Sequence, residues 1–481
     1  MGGRLQRSGL LSLGGASRDP VTMSGRRSLR SWVGRSGWNL IVSSGGEVAT
    51  RVLSVVATVV LARYFGVGTF GDYATITAYA SLAVAVGNLG IDQLAYRELS
   101  AEGEAGEAPP PDLFRALFAL RMVSAAITAA LLVGIGLLYG DDRLWPFVIV
   151  AVAAFPSGAA AMYAVAFQSR ERFSVPARAN ALGAACTTAL VLLGVAVQAP
   201  FVAFFGVLFV GDSVRAGYLL WARTPDLFAP RQLWTRLALP SRSSIRAMLV
   251  EAGPYWVLSI LGMVYFRIDV VMLDTMQGPS EVGLYASASR FFNVINTVPA
   301  LCLGVLFPRF ARLQRASDPQ AKRLYLLAVR VMLWAGAVAA VLGVVGAGPL
   351  IGLTYGLDYA DAIPALRWLM AALLFVFWQA PNVTALFSGG QLRGVVALSF
   401  ATAGFNVVAN LFAIPQWGAT GAAMTTAASE LLSLGIFSVV VARRFEIPSG
   451  TYLRSLLTVR VRQDERDLLL GRAESTSPRT R

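Results

Sequence analysis

The feature that most constrains this chain is a succession of apolar runs, each about 20 residues long, the length an α-helix needs to cross a bilayer's hydrocarbon core. Lipid offers no partner to backbone N–H and C=O groups, so only helices and closed barrels can span it. Barrel strands alternate apolar and polar residues over about 10 positions, and these runs do not alternate. The spans lie at about 40–65, 73–95, 113–139, 145–168, 177–198, 201–222, 247–273, 284–307, 324–350, 364–388, 394–414 and 418–442. Composition supports the same conclusion: 56% of the 481 residues are hydrophobic and 14% charged, too few charges to cover a water-soluble domain. The sequence therefore predicts an all-α, polytopic membrane protein of about 12 transmembrane helices.

Basic residues set the expected orientation. Connections after the odd-numbered spans are short, with Arg143 their lone basic loop residue. The even-numbered ones carry Arg170, Arg172 and Arg178, then Arg223, Arg231, Arg236, Arg242 and Arg246, then Arg309, Arg312, Arg315, Lys322 and Arg323. By the positive-inside rule those connections and both termini are cytoplasmic. The net charge of +14 then follows from topology, with no nucleic-acid partner needed. Cys186 and Cys302 both fall within spans, which argues against a disulfide framework. Histidine is absent, which removes His-based catalysis and His-ligated metal sites. No catalytic residue, metal or cofactor is expected.

The chain also repeats itself. The turn Gly66-Val67-Gly68-Thr69-Phe70-Gly71-Asp72-Tyr73-Ala74 returns as Gly278-Pro279-Ser280-Glu281-Val282-Gly283-Leu284-Tyr285-Ala286, an offset of 278 − 66 = 212 residues. Gly66, Gly71, Tyr73 and Ala74 match Gly278, Gly283, Tyr285 and Ala286 without a gap. The expected organisation is a basic disordered tail (1–38), an N-lobe (39–222), a cytoplasmic interfacial linker (223–246), a C-lobe (247–442) and a second basic tail (443–481). Six spans per lobe relate the lobes by a pseudo-twofold axis along the membrane normal, as in some secondary transporters. Leu227–Leu239 and Tyr452–Leu470 read as interfacial helices or as solvated basic linkers.

Ionisable groups at membrane depth are costly and face a cavity or a partner. Asp212 and Arg215, three apart, can neutralise each other. Arg121 and Glu251, near the cytoplasmic end, and Arg63 and Asp274, near the outer end, can snorkel. Arg51 and Arg267 resist such accounts. Subtracting the offset (267 − 212 = 55) puts Arg267 opposite Val55, four residues from Arg51 and on the same helical face. Arg51, Arg267 and Arg290 are expected to line a cationic cavity, where the planar arginine fork binds phosphate oxygens bidentately. Glu47 and Asp269 are candidate coupling carboxylates, or salt-bridge partners of Arg51 and Arg267. Gln379, Asn382, Thr384, Asn406 and Asn410 are expected to hold helices together.

The run Arg51-x7-Val59-Val60-Leu61-Ala62-Arg63-Tyr64-Phe65-Gly66-x4-Gly71-Asp72-Tyr73-Ala74, closed by Asn88-Leu89-Gly90-Ile91-Asp92 and Arg97-Glu98, resembles the N-terminal region of Wzx-type polysaccharide-biosynthesis flippases. These belong to the multidrug/oligosaccharidyl-lipid/polysaccharide superfamily. The resemblance implies alternating-access movement of an undecaprenyl-diphosphate-linked oligosaccharide across a bacterial inner membrane, from the cytoplasmic to the outer leaflet. It further implies membrane lipids, a polysaccharide polymerase and glycosyltransferases as partners. Two alternatives stand beside it. An ion-coupled multidrug exporter needs acidic cavity residues without excess arginine. An integral-membrane glycosyltransferase or polymerase needs long outer loops, and the connections here are short.

Overall fold

The computed structural model describes residues 29–101, 111–222, 242–316, 318–448, 450 and 452. The linker helix expected at Leu227–Leu239 and the tail beyond Tyr452 lie outside them. Among the described residues twelve α-helices follow in order: α1 Leu29–Gly87, α2 Ile91–Ala101, α3 Pro111–Tyr139, α4 Asp141–Gln168, α5 Ser174–Ala196, α6 Ala203–Trp221, α7 Arg242–Gln277, α8 Pro279–Ile295, α9 Thr297–Arg315, α10 Gln320–Thr354, α11 Ile363–Ser388 and α12 Leu392–Arg444. A 3₁₀ turn at Leu357–Ala362 precedes α11. No strand occurs among the described residues, so the all-α expectation holds. Helix α1 begins at Leu29, inside the stretch the sequence assigns to the basic tail.

Nine helices among the described residues are long and apolar enough to cross a membrane, or ten if one bent pair counts as a span. That count does not reach the 12 spans expected, and the reason is geometric. Two helical stretches, Ala49–Gly87 and Gly394–Arg444, run 39 and 51 residues. At 1.5 Å per residue each exceeds one crossing of about 30 Å. Each contains a glycine at positive φ, Gly66 at 72° and Gly418 at 51°, a conformation that costs glycine nothing. At the second break Glu281 reaches across to accept the Ala419 N–H at 2.7 Å. The bent pair, Pro279–Gly304 and Leu306–Arg315, turns by 45°. Pro308 explains the bend, because its ring clashes with the carbonyl four residues back, that of Gly304.

Gly278, the repeat counterpart of Gly66, also has positive φ, 88°. From these two turns the copies pack against each other reciprocally. A Cβ on Gly71 would overlap the carbonyl oxygen of Pro279, and one on Gly283 would overlap that of Val67. With the offset of 212, each contact is the image of the other (67 + 212 = 279; 71 + 212 = 283). A continuous apolar core joins the copies here, with Ala62, Phe70 and Ala78 packed among Leu273, Tyr285, Tyr359 and Leu366. Polar ties reinforce it. Tyr359 Oη donates to Ala62 O at 2.9 Å, and Arg63 Nη2 to Leu353 O at 2.6 Å. Arg143 bridges Asp72 and Asp274, while Tyr139 Oη donates to Asp274 at 2.8 Å.

Among the described residues the opposite end of the seam is joined more lightly. Trp256 Nε1 donates to Val86 O at 2.8 Å, and a Cβ on Gly90 would meet the Ala252 carbonyl and the Trp256 N–H. The ion pair there, Arg97–Glu251, is 47% exposed on both sides. Exposed pairs contribute roughly 0–1 kcal/mol in general. We call these the turn end and the loop end.

Candidate substrate-binding site

Between the two ends the seam carries positive charge from both copies. Arg51 lies on α1, Arg267 on α7 and Arg290 on α8, all half-buried. Arg290 Nη2 donates to Ser54 Oγ, one turn along α1 from Arg51. Arg290 is within electrostatic reach of both other arginines and of Tyr73 and Tyr355. The sequence-predicted arginines are thus brought together. Among the described residues neither Arg267 nor Arg290 has a carboxylate within 4.0 Å. Arg51 is engaged by neighbours, and the side chain of Glu47 lies outside the described residues. Three clustered cations repel one another at membrane depth, so the arrangement favours an anion able to take several N–H donors at once.

Asp269 does not neutralise Arg267. Two positions apart on α7, the side chains point about 200° from each other around the helix. Asp269, 4% exposed, accepts from Tyr285 Oη at 2.8 Å, Asn410 Nδ2 at 2.7 Å and Thr426 Oγ1 at 3.3 Å. Asn410 is itself placed by Asn406 at 3.1 Å and by Thr425, and Asn406 donates to Ser429 at 3.2 Å. One turn earlier on the same α7 face, Tyr265 Oη donates to Glu430 Oε1 at 2.7 Å. Helix α7 thus turns Tyr265 and Asp269 toward α12 and Arg267 the other way. No cluster of three or more His, Cys, Asp or Glu able to hold a metal occurs among the described residues.

Other charged groups expected to snorkel have partners as well, and two of them, Arg121 and Asp274, are buried. Arg121 is buried, pairs with Asp92 at 3.1 Å and donates to Ser124 at 2.8 Å. Glu251 meets Arg97, Asp274 meets Arg143, and Arg63 binds backbone carbonyls. Each found a partner more than a hundred residues away or on a neighbouring helix, which helix periodicity does not reveal. Asp212 and Arg215 do pair, at 3.4 Å. Sequence reasoning missed Ser54 and the tyrosines. Their signal was the repeat: Tyr73 and Tyr285 are matched residues, the first beside Arg290 and the second on Asp269.

Helices long and apolar enough to cross a bilayer nine or ten times among the described residues define a multi-pass membrane protein. The chain belongs to the family described as polysaccharide biosynthesis protein, whose family model matches residues 36–314. No match was found among the curated proteins. Among solved structures it resembles the lipid II flippase MurJ in an inward closed conformation, with TM-score 0.70 and 12% identity over 87% of this chain and 90% of that one. It also resembles a multidrug resistance MATE family transporter of the MOP superfamily. For the inward-facing conformation the TM-score is 0.67, at 13% identity over 85% of this chain and 98% of that one. For an outward-facing conformation it is 0.61, at 13% identity over 86% and 96%. The fold therefore accommodates both directions of opening in its relatives.

Proposed function

We propose that the protein is a lipid-linked oligosaccharide flippase, moving an undecaprenyl-diphosphate-linked glycan from the inner to the outer leaflet for cell-surface polysaccharide export. The observation that carries this reading is the placement of Arg51, Arg267 and Arg290 on one seam, with Arg267 and Arg290 lacking any described carboxylate. A diphosphate offers several oxygens to the arginine forks. Its isoprenoid tail stays in the bilayer while the glycan passes between the copies. Nothing is made or broken covalently, so the protein acts as a transporter rather than an enzyme.

On this reading residues 39–222 and 247–442 are the moving lobes, both termini are cytoplasmic, and the membrane is a bacterial inner membrane. The turn end then faces outward and is the tighter closure, while the loop end admits cargo from the cytoplasm. Asp269 serves as the coupling carboxylate, held by three hydrogen-bond donors within the second lobe. A multidrug exporter calls for acidic cavity residues without excess arginine, whereas here three arginines share the seam and Asp269 points away from Arg267. Polymerase and glycosyltransferases remain the expected functional partners.

The test is transport of a fluorescent polyprenyl-diphosphate sugar in proteoliposomes. Arg267→Ala and Arg290→Ala should each slow it at least tenfold, the weight of one charged hydrogen bond of about 1.5–3 kcal/mol. Unchanged rates in both variants would remove the anionic-cargo reading.

A further inference from the structure

The loop end holds a cavity of about 730 Å³ that residues of both copies line. Its position follows from a break in the second apolar run. Helix α1 stops at Gly87 and α2 starts at Ile91, with Leu89 and Gly90 between them at φ 52° and 72°. A leucine in the left-handed region is strained, and neighbouring helices hold the break in place. Ser124 Oγ donates to Gly87 O at 2.6 Å, and Trp256 Nε1 to Val86 O at 2.8 Å. Irregular backbone in a membrane span is tolerated where it is buried in protein or lines a cavity.

Past the break, α2 has two faces. Leu94, Ala95 and Leu99 pack into the core with Phe114 and Phe167. Asp92, Gln93, Tyr96, Arg97 and Ser100, at helical spacing, line the cavity. Gln168 of α4 and Tyr255 of α7 add to its polar wall. The charges here are already spent. Arg97 donates to Glu98 at 2.8 Å, to Glu251 and to the Tyr255 hydroxyl, and Asp92 pairs with Arg121 at 3.1 Å. The uncharged groups are not. Among the described residues the side chains of Gln93, Tyr96 and Gln168 make no hydrogen bond.

We propose that this cavity is a saccharide subsite, which receives an uncharged sugar unit of the lipid-linked glycan at the loop end; its assignment to that cargo rests on the flippase reading. Amide and hydroxyl side chains supply both donors and acceptors for a sugar's hydroxyl groups. The rings of Tyr96 and Tyr255 offer flat apolar faces to its C–H faces. An anionic sugar gains little, because Arg97, the single cation in the lining, is already paired with two carboxylates. The volume falls within the roughly 300–1,000 Å³ typical of small-molecule sites. Helices α2 and α4 belong to the first copy and α7 to the second, so a bound sugar touches both sides of the seam. Its occupancy is thereby linked to how the copies meet at this end.

The test uses the full chain in nanodiscs and saturation-transfer NMR, with empty nanodiscs as the control. The probes are the methyl glycosides of glucose, galactose, mannose, rhamnose and N-acetylglucosamine, beside the anions glucuronate and glucose 6-phosphate. At least one neutral glycoside should bind saturably, and both anions about tenfold more weakly or not at all. Tyr96→Ala should weaken that binding about tenfold or more, through loss of a ring face and a hydroxyl. Ser100→Trp, which fills the cavity and keeps the other lining groups, should do the same, and serves if the first variant fails to fold. A glycoside that binds should also slow transport of a polyprenyl-diphosphate carrying the same sugar in proteoliposomes. No saturable neutral glycoside, preference for the anions, unchanged binding in both variants, or binding without effect on transport would overturn the proposal. None of these outcomes touches the diphosphate argument, which falls only if Arg267→Ala and Arg290→Ala both transport normally.

Discussion

Arg143 and Arg267 sit in the same seam and have opposite surroundings. Arg143, at the turn end, is held between Asp72 and Asp274, with the Tyr139 ring 5.0 Å from its guanidinium carbon. Arg267, nearer mid-depth, has no described carboxylate partner. A satisfied cation knits helices together, whereas one left without a counter-charge can accept a visiting anion. The difference teaches that one seam can hold an arginine paired twice over and, farther along, one with no described carboxylate beside it.

The contrast breaks most readily by exchanging those roles. Replacing Arg267 and Arg290 together with Ala should abolish polyprenyl-diphosphate transport, at least a hundredfold slower if each contributes about 1.5–3 kcal/mol, while size-exclusion profile and thermal unfolding stay near wild type. Collapse of folding in that variant would mean these arginines are structural after all. Next comes Asp274→Ala, which removes a carboxylate only 4% exposed. Stability should fall by about 1–3 kcal/mol, less than for an isolated buried pair because Asp72 still holds Arg143, and thermal unfolding in detergent reads it.

A comparable loss, about 1–3 kcal/mol, is expected for Gly71→Ala, whose Cβ must displace the Pro279 backbone. The mirrored substitution Gly283→Ala should match it within error, and a marked difference between the two would deny the reciprocity of the contact. Smallest is Arg97→Ala at the loop end. Its removal should leave thermal unfolding unchanged, because solvent screens the exposed pair with Glu251, and a clear drop would show the loop end to be tied as firmly as the turn end.

Much of this was legible in the sequence because it rests on periodicity. Apolar length yields the helices, and matching faces of Arg51 and Arg267 bring them to one seam. What escaped depends on contacts between distant residues. Asn410 reads as helix glue, and the partner by which it ties α12 to α7, Asp269, lies 141 residues away. Arg121 reads as a snorkelling end residue, and its true anchor is Asp92 on the neighbouring helix α2. The number of helices misleads for another reason: a glycine at positive φ reverses the chain within Gly394–Arg444 with so little interruption that helix runs into helix.

The paired glycines at the turn end have a mechanical corollary. Since Gly71 bears on the carbonyl of Pro279 while Gly283 bears on that of Val67, neither bearing can slip without the other slipping equally. Sliding along the joint is therefore resisted twice over, at two points 212 residues apart in the chain.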